Sequence, residues 1–378
     1  MIDREYLVQT ASRLCRVPTN VELGQQTLME PDDPKLVEYV QEVVRPLLNG
    51  HDLIAAGNNL VAAYGPNGTG RALLIQSYCV SQHHNLMEDP FSGKIANGAV
   101  YGMGVSQNKA HQAVLLAVFN WLGETRPELD GRLYWSVNCE GRSSHVCTNA
   151  ILAALPDKPS FCIVQYPTGL RLSLGNRGRV DVNVHVRGKA THSSAPQLGL
   201  SAIDGANEVI NRLKTLGWPG RHPILGGRQV VVYKLAFEPL APHTLPSDAY
   251  LTIDRRLLPG EDPDSAAAEI RAHLGDLSPY ELSVEPGVYM LPVLVSADEP
   301  AVRAFQEAVQ AVTGRPAEEY CHGGTYDAGG TASAGIPTVM YGAACPEPGL
   351  TGVDFVTIAD METEARVFAE FILRYLCR

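Results

Sequence analysis

Cys139 and Glu140 set a thiol beside a carboxyl group, two side chains that can serve as nucleophile and proton carrier. The thiol does so once a cationic neighbour lowers its pKa, and the carboxyl works as acid or base once burial raises its own. With Cys79, His83 and His84 the pair could also gather around one zinc ion. The bland alternative is that isolated cysteines and histidines are structural, and His83–His84 lies in a polar loop that suits solvation. All eight cysteines (Cys15, Cys79, Cys139, Cys147, Cys162, Cys321, Cys345 and Cys377) are dispersed, with no CxxC pair, and read as buried reduced thiols. Other chemistries fail on their motifs. GxxxxGK[ST], GxSxG and HExxH are absent, and GVYGMG does not have GxGxxG spacing after a strand.

Alternating strands and helices must carry these groups. Apolar spacing predicts a helix over residues 4–16 and another over Pro34–Leu48, where Pro46 bends or ends it. Strands are expected at Asn59–Tyr64, Ala72–Val80, Arg132–Val137 and Ser160–Gln165, with helices at Lys109–Leu122 and Val146–Leu155. That rhythm implies a largely parallel sheet covered on both sides. From about Leu174 the pattern changes to strand, helix, two strands, helix, strand: Val180–Val186, Ser201–Leu216, Gln229–Phe237, Ala249–Leu257, Asp264–Leu274 and Tyr280–Pro286. The α/β rhythm returns with Pro300–Thr313, Thr338–Tyr341 and Met361–Tyr375. A chain of 378 residues is long enough for two such domains. The expected division is a discontinuous α/β domain, 1–174 plus 291–378, with an inserted α+β module at 175–290.

Several segments together resemble the co-catalytic zinc aminoacylase family, which includes acetylornithine deacetylase, succinyl-diaminopimelate desuccinylase and glutamate carboxypeptidase. They are DPFSGKIANGAVYGMGVSQNKAHQAV, YPTGLRLSLGNRGRVDVNVHVRGKATHSSAPQLGLSAI, AYLTIDRRLLPGED, HGGTYDAGG and GIPTVMYG, in family order along nearly the whole chain. The resemblance implies the phosphorylase/hydrolase-like zinc-peptidase sheet domain with an inserted βαββαβ lid and dimerisation domain. It also implies that the metal ligands are lost. Where the family has His-x-Asp, this chain offers Ser77 and Cys79, or Tyr78 and Val80 in the neighbouring register. Gln107 stands for the bridging Asp, Tyr166 for the Glu of EPT, and Leu350, within Gly349–Thr351, for the late His; His322 is the last histidine in the chain. In the Glu-Glu pair Cys139 replaces the general base and Glu140 keeps the carboxylate. One carboxylate, an amide and a phenol would leave the charge of two Zn²⁺ ions nearly uncompensated, so no metal and no other cofactor is expected.

Other family positions persist. By resemblance His192 donates to the oxyanion of a tetrahedral intermediate across a dimer interface, with a surface loop histidine as the alternative. Arg256 grips a substrate carboxylate, against a strand-end salt bridge; Arg255 points to the other face. His243 replaces an Asn that contacts substrate, and Gly323, Gly324 and Thr325 keep a loop that lets substrate approach closely, or form a simple turn. Ser77, Gln107 and Tyr166 line the altered cleft. The resulting expectation is a metal-independent, homodimeric enzyme acting on the amide or carboxyl group of an amino-acid-like or N-acyl amino-acid substrate. The alternative is a non-catalytic relative that binds a small carboxylate or a protein partner. A net charge of −11 argues against nucleic acid and anionic membranes as partners, and no apolar run is long enough to span a bilayer. The polar start and the reduced cysteines point to the cytoplasm.

Overall fold

The structure is a computed structural model that describes residues 1–20, 30–68, 70–81, 86–140, 144–217, 221–347 and 352–377. The chain divides into two compact units. Unit 1 is Met1–Gly175, Leu294–Cys321 and Asp327–Arg378; unit 2 is Asn176–Val293 with His322–Tyr326. This last short return to unit 2 was not among the boundaries expected from the sequence.

Unit 1 begins with α1 (Arg4–Cys15) and α2 (Pro34–Glu38). The single helix expected over Pro34–Leu48 is broken: a π-helical turn at Tyr39–Val44 and a 3₁₀ turn at Arg45–Leu48 follow α2. Pro46 has no N–H to continue an α-helical ladder, so the hydrogen-bond register changes before it. Then come β1 (Asp52–Ala56), β2 (Asn59–Tyr64), β3 (Ala72–Tyr78), β4 (Lys94–Ala96), β5 (Ala99–Tyr101), α3 (Ala110–Thr125), β6 (Arg132–Asn138), α4 (Val146–Ala154), β7 (Phe161–Gln165) and β8 (Leu172–Asn176).

Unit 2 supplies β9 (Gly178–Arg187), β10 (Thr191–His192), α5 (Ala202–Lys214), β11 (Val230–Glu238), β12 (Thr244–Leu245), β13 (Asp248–Leu257), α6 (Pro263–Leu274) and β14 (Glu281–Met290). The chain returns through β15 (Val293–Leu294), α7 (Pro300–Thr313), β16 (Glu319–His322), α8 (Ala328–Ser333), β17 (Thr338–Tyr341), β18 (Phe355–Thr357) and α9 (Ile358–Leu376).

The main sheet has the order β1-β2-β6-β3-β7-β17-β8-β15, with β16 beside β8. Its middle, β6-β3-β7-β17, is parallel, and its flanks are antiparallel where β1 meets β2, β2 meets β6, and β17 meets β8. The sheet is thus mixed rather than largely parallel, because the two-residue link between β1 and β2 can join only antiparallel strands. Alternate side chains go to opposite faces. Leu73, Ile75, Leu133, Trp135 and Val137 join the core that includes α3 and α9, while Gln76 and Asn138 bond Thr148 on α4.

Unit 2 follows the expected βαββαβ order, with a small antiparallel β10–β12 pair added. Its sheet is antiparallel, β11-β13-β9-β14. Val180, Val182, Val184 and Val186 of β9 face a core shared with Ala206 and Val209 of α5 and Ile270 and Leu274 of α6. The intervening residues of β9 and β13 form the opposite face.

Candidate active site

The carboxyl ends of the parallel strands bring several of the singled-out residues to one edge, where open α/β sheets bind ligands. In the β3–β6 register Tyr78 pairs with Asn138, and the Cys79 N–H donates to Asn138 O at 3.2 Å, so Cys79 lies beside Cys139. Glu140 follows on β6, and half-buried Tyr166 follows β7 on the other side of β3.

Gln107, half-buried, lies on the π-helical turn Val105–Lys109 that leads into α3. Gly104 starts that turn at φ 80°, and the Gly104 and Ser106 N–H groups donate to Asp354 at 2.7 and 3.2 Å. A Cβ on Gly104 would lie 2.0 Å from Ser81 Oγ, which leaves room only for glycine.

Glu140 is fully buried, and its Oε1 accepts from the Cys147 N–H at 2.8 Å in the first turn of α4. The carboxyl therefore satisfies one of the helix's open N–H groups. Cys139 is also buried, its N–H donating to Asn59 Oδ1 at 2.9 Å. Burial and the neighbouring Cys139 thiol push the Cys79 thiol well up; burial and the Glu140 carboxyl do the same for Cys147.

Ser77 is turned inward. Its hydroxyl donates to Gln165 Oε1 at 2.5 Å and accepts from Trp135 Nε1 at 2.9 Å. The substrate contact expected of Ser77 gives way to this core role, because residue 77 sits inside β3, buried on both faces.

Two buried pairs went unread in the sequence. Gln165 Nε2 donates to Glu364 Oε1 at 3.1 Å, and Glu364 faces His111 Nδ1 at 3.0 Å. His111 Nε2 faces Ser106 O at 3.1 Å, which links the network to the Gln107 turn. A glutamate among Met361, Ala365 and Phe368 on the apolar stripe of α9 was the available signal. The other pair is His145 Nδ1 with Asp327 Oδ1, both buried, His145 at φ 60° on the N-cap of α4. Its signal was the placement of His145 five residues after Glu140.

In unit 2 Arg256 is held at both ends. Nε and Nη2 reach Asp254 at 2.9 and 3.0 Å, and Nη1 donates to Thr325 Oγ1 at 2.7 Å. Gly323 O accepts from Arg177 Nε at 2.8 Å, and the Gly324 N–H donates to His322 Nδ1 at 2.7 Å. Burial first, then the Arg256 charge, lowers the pKa of Arg177. Arg255 turns to the other face and pairs with Glu261 and Glu269 at 2.6 and 2.8 Å.

His192 on β10 and His243 just before β12 are exposed neighbours, ring centroids 6.2 Å apart. The Ser194 N–H donates to His192 Nδ1 at 3.2 Å. In the neutral ring that leaves the hydrogen on Nε2 as a donor.

Residues 174–281 match the M20 peptidase dimerisation domain. Acetylornithine deacetylase of Aliivibrio fischeri strain MJ11 is 29% identical over 131 residues, 34% of this chain and 33% of that protein. The match therefore spans about a third of that relative's length. The uncharacterized protein YgeY of Escherichia coli K12 is 24% identical over 251 residues, 64% and 61% of the two chains. The M20 metallo-carboxypeptidase Sso-CP2 of Sulfolobus solfataricus shares the fold at TM-score 0.76, with 19% identity and 99% of each chain covered. Residues 174–281 thus match an M20 domain, and the whole chain shares the fold of an M20 enzyme.

By the resemblance set out above, such relatives hold two zinc ions, and the side chains at the positions that resemblance assigns as ligands do not make that pair. The matching positions carry serine or tyrosine, cysteine or valine, an amide, a phenol and one carboxyl already used as a helix cap. Among the described residues no three His, Cys, Asp or Glu side chains form a group able to hold a metal ion. Cys79, Cys139 and Glu140 thus do not build the single-zinc alternative by themselves. His83, His84 and Gly349–Thr351, with Leu350, lie outside the described residues.

Proposed function

We propose that this M20 protein is an enzyme that acts on the amide or carboxyl group of an amino-acid-like or N-acyl amino-acid substrate without zinc. The observation that carries the reading is the placement of Cys139, Glu140 and Tyr166 at the carboxyl ends of the two parallel strands that flank β3. Glu140 moves the proton there, and Tyr166 and Gln107 offer polar contacts; by resemblance His192 supplies an Nε2 donor for the developing oxyanion. Arg256, oriented by Asp254 and Thr325, attracts the substrate carboxylate, with His243 and the Gly323–Thr325 loop beside the substrate.

Proton transfer by a carboxyl suits acyl transfer or ring closure onto an amine the substrate already carries. The dimerisation-domain match supports a homodimer. Eight free cysteines support a cytoplasmic setting, and no described helix is long and apolar enough to cross a membrane.

The test is turnover of N-acyl amino acids with and without a chelator, using Glu140→Gln and Cys139→Ser. Gln keeps the oxygen that caps α4 and removes the titratable proton. Glu140→Gln should reduce turnover by about 10²-fold or more, in line with the loss of a general acid–base, while Cys139→Ser and chelator leave it. Loss on Cys139→Ser alone would replace this mechanism with thiol catalysis. Loss with chelator would restore a metal, undiminished turnover in both variants would put the chemistry on other residues, and no turnover by the wild type would favour a binding protein.

A further inference from the structure

Unit 1 has a cleft of about 580 Å³, within the size range of small-molecule sites. Its walls are residues 49–52, the end of β2 with Gly65, the last turns of α3, and Arg132. Because β6 runs from Arg132 to Asn138, this cleft lies at the opposite end of the strand from Cys139.

The charges in it are unevenly committed. Asp52 is paired with Arg132, which also donates to Gly65 O. Glu124 accepts from Asn120 Nδ2 at 3.0 Å. Arg126 makes no ion pair among the described residues, and its guanidinium has one long bond, Nε to Gly123 O at 3.4 Å. Its backbone is left-handed, φ 46°, and caps α3 through its N–H on Leu122 O at 2.9 Å. His51 stands edge-on to Phe119, centroids 5.2 Å apart, and its ring makes no hydrogen bond among the described residues. Burial lowers the His51 pKa, which favours the neutral ring.

We propose that this cleft is a separate binding site for a small monocarboxylate, with Arg126 as the bidentate carboxylate donor and the His51 ring beside the ligand's carbon chain. A planar guanidinium fits a carboxylate through two parallel N–H bonds. The nearby Asp52 and Glu124 carboxylates disfavour a doubly charged anion such as phosphate.

Butyrate is the probe and inorganic phosphate the contrast, each titrated by NMR against the whole protein. Arg126→Gly removes the guanidinium and keeps the left-handed cap, which glycine adopts freely. Butyrate should bind saturably at millimolar concentration and about tenfold more weakly to Arg126→Gly, as expected for loss of a charge-assisted pair. Arg256→Ala should leave its affinity unchanged. The proposal is overturned if butyrate shows no saturable binding, if Arg126→Gly has no effect, if Arg256→Ala removes the binding, or if phosphate binds equally well.

Discussion

Lys109 opens a question of charge rather than of catalysis. Its ammonium is buried 3.4 Å from the Tyr39 ring centroid and has no hydrogen-bond partner among the described residues. Burial brings its pKa down to about 7, although nearby Cys79 and Cys15 act in the opposite direction. The unfolded amine holds its proton to about pH 10.4, so above pH 7 unfolding takes up a proton and stability rises with pH. Past about pH 8.5 the rise is opposed, because Cys15, pushed up to about 12 by burial, ionises more readily in the unfolded chain. Between pH 7 and 8.5 the lysine contributes a slope of at most about 1.4 kcal/mol per pH unit. Lys109→Met fills the same space without the charge. In urea titrations it should raise stability at pH 7 and flatten the slope; an unchanged slope would show that this amine does not titrate in that window.

The same residue scale shows what could be read beforehand. Strand alternation separated Arg255 from Arg256 correctly, since period two sends neighbours to opposite faces. The inward turn of Ser77 was not legible, because its partners Gln165 and Trp135 come from other strands. Asp254 beside Arg256 was equally hidden as a partner, although both alternate onto one face.

At the scale of elements, the π-helical turn before α3 depends on Gly104, and the structure predicts an ordered pair of mutations. Gly98 has φ 73° with nothing within 4 Å of a built Cβ, so Gly98→Ala should cost only the left-handed penalty, about 1–2 kcal/mol. Gly104→Ala adds a collision with Ser81 and should cost about 3–4 kcal/mol. Equal costs by chemical denaturation would mean that Ser81 moves aside freely.

Legibility differs between elements for the same kind of reason. The apolar run of β3 and the amphipathic stripe of α5 announced themselves. β1, short and half-exposed, did not, nor did the three-residue strands β4, β5 and β18, which are too brief to show a period. The broken helix at 34–48 shows a proline changing the ladder several residues ahead of itself.

For the molecule as a whole, the assembly prediction rests on unit 2. Its edge strand β11 exposes Val231, Tyr233 and Leu235 at 45%, 54% and 50%, an apolar edge that monomers usually blunt. Sedimentation should give a dimer of the 40.8 kDa chain, and Val231→Lys with Leu235→Lys should give the monomer. A monomeric wild type would remove His192 from any site that needs a second copy. Here the sequence was informative about order and silent about company: βαββαβ could be read, whereas the pairing that makes β11 an edge depends on contacts far apart in the chain.

The position of β17 orders events during synthesis. It lies between β7 and β8, yet a ribosome makes it only after every strand and helix of unit 2. Unit 2 receives nearly all of its chain in one continuous stretch and can bury its core as it emerges. Throughout that interval β7 has β3 on one side and nothing on the other. The nascent protein therefore carries an open sheet edge while its neighbour folds, and a chain stopped short of residue 338 would keep that edge available to any passing strand.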